Sequence, residues 1–173
     1  SQKLPKYPIL VSIYENGYLF NESRDLKNLS VHLKRGAIWL IDFKSDPGPE
    51  SLAKLEKLLA RIYPAHKLKE IRKKHVLFSA FYLLDRAYGL NLEPFFWRVV
   101  EYGGRFNVLV SLNGAFPALA RDPFGNFTYP VSSGLPKQRE MVIRTLINFI
   151  MYCLCLDYKD DQVLVPFILK RRR

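Results

Sequence analysis

Short apolar runs alternate with helical patterns in the first third of the chain, and this alternation constrains the fold more than any other feature. Residues 7–14 and 37–41 are compact, β-rich apolar runs, typical of strands that are buried on both faces. Between them, leucines recur at the spacing of one helix face, at Leu26, Leu29 and Leu33. A second helix is predicted to begin at Pro49 and to end before Pro64. A strand–helix–strand–helix order implies parallel strands joined by right-handed crossovers, so the sequence predicts an α/β domain.

The second half of the chain adds strands and one long helix. Residues 95–102 alternate weakly, and we expect an edge strand or a hairpin arm that turns at residues 103–104. Residues 106–112 are predicted to form a third core strand, and residues 122–134 have the composition of an ordered loop. The longest predicted helix, residues 139–156, is apolar on most sides, which favours burial between layers.

Length and composition favour one domain with a substantial core. The chain has 173 residues, of which 49% are hydrophobic and 14% aromatic, so a disordered chain is excluded. We predict a core over residues 7–156 and an extended, basic C-terminal tail over residues 157–173. The longest apolar stretch, residues 145–156, is shorter than the ~20 residues that a bilayer requires, so no transmembrane segment is predicted.

Positive charge exceeds negative charge, with 27 Lys and Arg against 16 Asp and Glu and a net charge of +11. Such an excess favours anionic partners. The cations gather in a terminal run, residues 170–173, and in a cluster that is a candidate anion-binding site: Lys67, Lys69, Arg72, Lys73 and Lys74. A solvated surface explains both groups more simply. No nucleic-acid-binding motif accompanies either group, so the sequence argues against a nucleic acid as the partner.

Polar residues follow the predicted strands at the edge where the strands end. In an open parallel sheet, the ligand crevice lies beyond the carboxyl ends of the strands. This rule selects Glu15, Asn16 and Gly17 after the first strand, Asp42 and Lys44 after the second, and Ser111, Asn113 and Gly114 after the third. The candidate ligand-binding residues among them are Glu15, Asn16, Asp42, Ser111 and Asn113. Ordinary polar turns account for the same residues equally well, because the selection depends on strand order and on no motif.

His75 is the candidate acid, base or ligand among the three histidines, because it stands between the basic cluster and an apolar run. A lone histidine in such a place is more often a hydrogen-bonded structural residue, and His32 and His66 are expected at the surface. Cys153 and Cys155 are interpreted as small core residues. The chain contains no nucleophile elbow, phosphate-binding loop, dinucleotide fingerprint or zinc-protease motif, and the sequence predicts neither a metal nor a cofactor.

Several stretches of the sequence match the pattern of a known family: YPIL with the following NGYLF, LKRGAIWLID, HVLFSAFYLLDR, ALARDPFGNFTYPV, and the run from QREMVIRTLINF to the terminal FILKRRR. Through them, nearly the whole chain resembles the bacterial domain of unknown function 4159 family. The resemblance implies a three-layer, flavodoxin-like sandwich with a mostly parallel central sheet, related to class I glutamine amidotransferases and trehalose-utilisation proteins. No established activity comes with it, and the cysteine nucleophile of glutamine amidotransferases is not visible here.

The resemblance also implies a bacterial source and a location. Short members are frequently exported behind a signal peptide, and other members belong to larger membrane-anchored proteins. We therefore expect an exported, periplasmic or membrane-associated protein, with the cytoplasm as the alternative. Similar proteins carry a further strand–helix unit before the position of Tyr7. Either that unit has been removed or the fold is trimmed, and a trimmed fold would leave a sheet edge for a partner to cover.

Comparison with the family pattern separates polar groups that this chain keeps from groups that it lacks. Phe43 and Gly114 stand where the family has an aspartate, and Leu164 stands where it has a histidine. The residues that the chain keeps are His75, Tyr82, Asp85, Arg121 and Asp122. Arg121 is therefore added to the candidate ligand-binding residues. Asp122 becomes a third catalytic candidate beside His75 and Asp42.

Three functions remain open at this point, and the first is favoured. In the first, the chain is a non-catalytic binding or scaffold domain of a bacterial envelope or membrane-associated assembly, and it binds a protein partner or a second copy of itself. Alternatively, it is a hydrolase or amidotransferase-like enzyme that uses His75 with Asp42 or Asp122. In the third function it binds anions through the Lys67 to Lys74 cluster. A general base must lie within hydrogen-bonding reach of its substrate, so the enzyme hypothesis requires these side chains to converge.

Overall fold

The computed structural model describes residues 6–15, 23–71, 75–93 and 97–155. This part of the chain forms a mixed α/β fold with one five-stranded sheet and three α-helices. The elements follow in this order: β1 (Ile9–Tyr14), α1 (Ser23–Lys34), β2 (Ile38–Phe43), α2 (Gly48–Ile62), β3 (Lys69–Glu70), β4 (Arg98–Tyr102), β5 (Arg105–Ser111) and α3 (Pro136–Cys155).

The sheet is half parallel and half antiparallel, with the strand order β1-β2-β5-β4-β3. β2 pairs in parallel with β1 and with β5, whereas β4 pairs antiparallel with β5 and with β3. The predicted parallel arrangement is therefore confirmed for β1, β2 and β5, whereas β3 and β4 pair antiparallel, so the sheet as a whole is mixed and not mostly parallel. The predicted hairpin explains the difference, because Gly103 and Gly104 adopt positive φ angles of 62° and 78° and so close a tight turn between β4 and β5.

Alternate residues of β2 pack against helices on opposite faces of the sheet. Trp39 and Ile41 lie in the core formed with α1 and α2, and Ile38 and Leu40 lie in the core formed with α3. All six residues of β2 are buried, as its continuous apolar run predicts. The sheet therefore has α1 and α2 on one face and α3 on the other.

Two apolar faces that the sequence places in the core are exposed. Val11 and Ile13 of β1 are 42% and 51% exposed, because β1 is the edge strand of the sheet that the described residues form and α3 packs over the centre of that sheet. On α3, one face packs on the sheet, whereas Ile143, Ile150 and Leu154 are 45–63% exposed. The predictions of a doubly buried first strand and of a helix enclosed between layers are both wrong.

His32 is buried, although the sequence places it at the surface. Its Nε2 atom lies 2.8 Å from the carbonyl oxygen of Tyr7 and so ties the end of α1 to the residues that precede β1. His66 is half-buried and meets the rings of Tyr63 and Tyr102 edge-on. Both imidazoles are thus structural contacts between neighbouring elements.

The buried polar residues of α3 hold the irregular segment 79–92 against the helix. Asn148 accepts hydrogen bonds from the backbone N–H groups of Phe81 and Tyr82 through Oδ1. The Gln138 amide donates to the carbonyl oxygens of Gly89 and Leu90. Backbone groups without a helix or strand partner are satisfied in this way, which fixes the segment beside the carboxyl ends of β2 and β5. No helix in the described ranges is both long and apolar enough to cross a bilayer.

Candidate functional site

The ends of β2 and β5 bring together the polar residues that the strand-end rule selects. Asp42 and Ser111 are partners in the parallel register of the two strands, and Asn113 follows two residues later. All three side chains are completely buried. Their meeting at one edge agrees with the parallel order, but they lie beneath the surface and line no open crevice.

The Asp42 carboxylate holds the loop that follows β5. Its Oδ1 accepts a hydrogen bond of 3.1 Å from Ala115 N, and its Oδ2 accepts one of 2.6 Å from Phe116 N. Burial raises the pKa of Asp42 to about 6, and the backbone hydrogen bonds from Phe116 and Ala115 oppose this rise. Both carboxylate oxygens are therefore occupied by backbone donors of the loop.

Asn113 performs the same task for the segment on the other side of the loop. Its amide nitrogen donates to the carbonyl oxygen of Ala87 at 3.1 Å, and its Oδ1 accepts from the Ser111 hydroxyl at 3.1 Å. Trp97 Nε1 lies 3.4 Å from the same Oδ1. The three predicted residues thus form a closed network whose partners are backbone groups and one another. This network, Asp42, Ser111 and Asn113 together, is named the strand-end network.

His75 lies at the opposite end of β5. Its ring stacks on Phe106 with a centroid distance of 4.0 Å, and its Nδ1 accepts a hydrogen bond from Leu77 N at 3.0 Å. Phe106 is five residues before Ser111 in β5, which corresponds to about 17 Å along the strand. The structure therefore does not bring His75 together with Asp42, and it places His75 as the cap of a short 3-10 helix, Val76–Phe78.

We expect His75→Ala to lower the free energy of unfolding by about 1–2 kcal/mol, because it removes this cap and the ring contact with Phe106. Burial lowers the pKa of His75 below its ordinary value of 6.5, so its contribution to stability is complete above that pH and is lost as the pH falls. Urea unfolding at about pH 7.5 and about pH 5.5 measures the loss of unfolding free energy in His75→Ala at each pH, with Val76→Ala as the exposed control. An effect of His75→Ala that is larger in acid would contradict the assignment.

Asp122 and Arg121 lie in the ordered loop, as the sequence predicts for residues 122–134. Asp122 Oδ1 accepts hydrogen bonds from Phe124 N at 2.9 Å and from Asn126 N at 2.8 Å, which closes a turn. Arg121 donates from its guanidinium to Gly125 O. Within the described residues, Asp122 makes no hydrogen bond or ion pair with His75, so the third catalytic candidate also stays apart.

Three cations lie on aromatic rings at the surface of the same edge. Lys44 Nζ is 3.7 Å from the centroid of the Tyr129 ring. The guanidinium carbons of Arg121 and Arg139 are 4.1 Å and 3.7 Å from the centroid of the Phe127 ring. None of the three forms a salt bridge with an acid in the described part of the chain. Lys44, Arg121 and Arg139 are named the carboxyl-edge cations.

The neighbouring hydrogen bonds fix where these cations stand. Arg139 donates to the carbonyl oxygens of Ala118 and Tyr129, so its guanidinium joins α3 to the loop. Tyr129 donates from its hydroxyl to Glu15 Oε1 at 2.5 Å, which ties the loop to the end of β1. Desolvation and the charge of Arg121 lower the pKa of Arg139, which indicates that the two guanidinium groups lie close together.

Sequence reasoning selected Glu15 and Arg121 but missed Tyr129, Phe127 and Arg139. The only signal for them was the aromatic content of the ordered loop and one arginine in the first turns of α3. A cation on a ring is not a spacing pattern, so no motif reveals it. Of the predicted basic cluster, Lys67 and Lys69 are exposed, and Lys69 Nζ is 3.7 Å from Glu101 Oε2. The remaining predicted residues lie outside the described part of the chain: Asn16, Arg72, Lys73 and Lys74.

The described ranges contain no group of three or more His, Cys, Asp or Glu side chains that could hold a metal ion. Cys153 is free and half-buried, and burial raises the pKa of its thiol to about 12. A thiol that stays protonated is a poor nucleophile and a poor metal ligand.

Fold and site together define a mixed α/β domain with a closed polar network under one sheet edge and cations above it. The chain belongs to the family described as Domain of unknown function (DUF4159), whose model matches residues 1–154. No curated protein matches the sequence.

Proposed function

We propose that this chain is a non-catalytic binding domain that holds an acidic segment of a protein partner against the carboxyl-edge cations. One observation carries the proposal. The cations stand on aromatic rings without an acidic partner among the described residues, while the polar groups that catalysis would use are buried beneath them.

A catalytic role would require a side chain that reaches its substrate. Asp42, Ser111 and Asn113 have no exposed surface, and their hydrogen-bonding atoms are engaged within the protein. Moving one of them to a substrate would leave a buried backbone donor or acceptor without a partner, at a cost of about 1–3 kcal/mol for each group. The strand-end network is therefore better suited to support a surface than to react.

An acidic ligand fits the carboxyl-edge cations for two reasons. Arg121 is exposed, and a guanidinium group presents several donors in a fixed geometry that suits a carboxylate. Stacking on Phe127 restricts the side chain before it binds, so less conformational entropy is lost in the complex. Lys44 adds a second positive charge on the neighbouring ring, and Arg139 holds the loop in place.

The wider setting of this function is also a proposal. We infer from the family resemblance that the domain acts in a bacterial envelope or membrane-associated assembly. A three-layer, flavodoxin-like sandwich related to glutamine amidotransferases is part of the same inference, and helices on both faces of the sheet support it. Among the residues that the structure describes, neither the catalytic candidates nor Lys67 and Lys69 of the predicted anion site make contacts that give their hypotheses comparable support.

Titration with a short polyglutamate peptide tests the proposal. We expect the double variant Lys44→Gln/Arg121→Gln to bind the peptide about tenfold more weakly than the unmodified chain, because two charge-assisted contacts are lost. The affinity should also fall with added salt, since rim charges are screened. Calorimetry or fluorescence anisotropy at two salt concentrations measures both effects.

The matched control is Lys34→Gln/Lys57→Gln, which removes the same net charge from exposed positions on α1 and α2. This control should change the affinity by less than about twofold. Equal losses in the two double variants would mean that the peptide senses only net charge, and the proposed site would be wrong.

A further inference from the structure

We propose that residues 163–168 of this chain bind along the open edge of β1 as a sixth strand that runs parallel to it. The segment reads VLVPFI and lies eight residues beyond the end of α3. The open edge of β1, the direction of α3 and the handedness of the crossover support this position.

β1 has backbone groups that point away from the sheet. Pro8 and Tyr14 direct their carbonyl oxygens to β2, where they accept hydrogen bonds from Ile38 N and Lys44 N. In a parallel ladder, alternate residues of a strand face opposite neighbours, so the N–H and C=O groups of Ile9, Val11 and Ile13 face outward. No described strand pairs with this side of β1. An edge of this kind accepts a further strand through main-chain hydrogen bonds.

The same three residues leave apolar side chains uncovered on the α3 face of the sheet. Val11 and Ile13 are 42% and 51% exposed, and Ile9 is only partly buried. An adjacent strand with apolar side chains on that face would cover them. Residues 163–168 supply such side chains and carry no charge.

The direction of α3 brings the chain to the end of the sheet at which a parallel strand must start. α3 begins near the carboxyl ends of β2 and β5, where Gln138 bonds to Gly89 and Leu90. It ends near the amino end of β5, where the Tyr152 hydroxyl accepts from Phe106 N. A strand that follows α3 therefore starts beside the amino ends of β1, β2 and β5 and runs parallel to them.

The handedness of the crossover selects the β1 edge. From β1 to β2 the chain moves toward β5, with α1 on one face of the sheet. From β5 to a strand beyond β1 it moves in the opposite direction, with α3 on the opposite face. Reversal of both direction and face preserves the hand, so the two crossovers have the same hand, as the strong preference for right-handed connections demands. The same connection to a parallel strand beyond β3 would have the opposite hand.

Length and sequence both fit this position. The path across three strand spacings and one helix–sheet layer is about 18 Å, and the residues between Cys155 and Val163 can span about 25 Å. Pro166 lacks an N–H group and is tolerated where that side of an edge strand faces solvent. If Pro166 faces outward, the backbones of Val163, Val165 and Phe167 face β1.

This orientation predicts which side chains lie together. In a parallel sheet, residues in register share a face, as Ile9 and Ile38 do. Leu164 and Ile168 would then lie on the α3 face, beside Ile9, Val11 and Ile13, whereas Val165 and Phe167 would lie on the face of α1. The basic run at residues 170–173 would arrive at the carboxyl edge, next to Glu15.

Disulfide trapping in the full chain tests the position, in a background that carries Cys153→Ala and Cys155→Ala. Ile13→Cys is combined with Leu164→Cys, Pro166→Cys or Ile168→Cys in turn, and with Phe167→Cys as the opposite-face control. The Cα atoms of paired residues on neighbouring strands lie within the range of about 4.4–6.8 Å over which disulfides form. We expect one of the first three combinations to form an intramolecular disulfide at about tenfold or greater yield than the control.

Two other outcomes would overturn the proposal. A disulfide that joins two chains in preference to one would mean that a second copy covers the β1 edge. Equal, low yields in all four combinations would mean that the segment lies elsewhere.

Hydrogen exchange gives an independent readout without cysteines. A chain that ends at residue 162 should exchange the amides of Ile9, Val11 and Ile13 at least about tenfold faster than the full chain. A chain that ends at Leu169 lacks only the basic run and should retain the protection. If the shorter chain does not fold, the full chain alone decides, since outward amides that exchange at unprotected rates would contradict pairing.

Discussion

Replacement of Gly114 by alanine is expected to destabilise the protein by about 3 kcal/mol or more. Gly114 has a φ of +72°, a conformation that residues with a Cβ atom rarely adopt. A Cβ atom at this position would also lie 2.6 Å from the carbonyl oxygen of Lys44, which is a backbone atom with little freedom to move. The loop beyond Asn113 and the residue after β2 can approach each other only because residue 114 has no side chain.

Gly125→Ala separates the two causes of this effect. Gly125 has a φ of +85°, but nothing lies within 4 Å of the Cβ atom that alanine would add. Its replacement by alanine should therefore lower the free energy of unfolding only through the strained backbone angle, by about 1 kcal/mol. Urea unfolding of the two variants measures the difference. Equal losses in Gly114→Ala and Gly125→Ala would show that the close contact with Lys44 contributes nothing.

Asp42→Ala is expected to lower the free energy of unfolding by about 2 kcal/mol at neutral pH. The two buried backbone donors at Ala115 and Phe116 would lose their acceptor, at about 1–3 kcal/mol each, and release of the buried charge offsets a part of that cost. Asp46→Ala is the matched control, because Asp46 accepts from Gly48 N at an exposed turn. The control should cost less than about 1 kcal/mol.

The pH dependence of stability reports on the same carboxyl group. Its pKa is about 6 in the folded protein and has an ordinary value of 3.8, so the folded state binds the proton more tightly than the unfolded chain. The stabilisation is therefore complete below about pH 4 and is lost as the pH rises through about 6, a change of about 3 kcal/mol. Asp42→Asn removes this titration. Unfolding midpoints across that range should decline in the unmodified chain by more than in Asp42→Asn, and parallel declines would contradict a raised pKa.

The order of elements could be predicted from the sequence where hydrophobic periodicity is strong. The buried run of β2 and the leucines of α1 have one interpretation each, and both predictions are confirmed. The exposure of β1 could not be predicted, because an apolar run does not reveal whether a neighbouring strand covers it. The antiparallel half of the sheet follows from the turn at Gly103 and Gly104, whose hairpin the sequence predicts without its place in the sheet.

The candidate site shows the same limit at the level of side chains. The strand-end rule predicts that Asp42, Ser111 and Asn113 lie at one edge of the sheet, and the register of β2 and β5 does place them side by side. It could not reveal that all three are buried, because burial depends on the loop that folds over them. The carboxyl-edge cations arise from residues distant in sequence, as with Lys44 on Tyr129, and no local pattern encodes such a contact.

Mapping of backbone amide shifts during the polyglutamate titration tests the central claim most directly. We expect the largest shifts at Lys44, across residues 121–129 and at Arg139, and no response at residues 67–71. Shifts that centre on Lys67 and Lys69 would contradict this claim, as would a uniform response over the whole basic surface. Shifts at Lys44, at residues 121–129 and at Arg139 would place the acidic ligand above the strand-end network, where the rings of Tyr129 and Phe127 hold the cations.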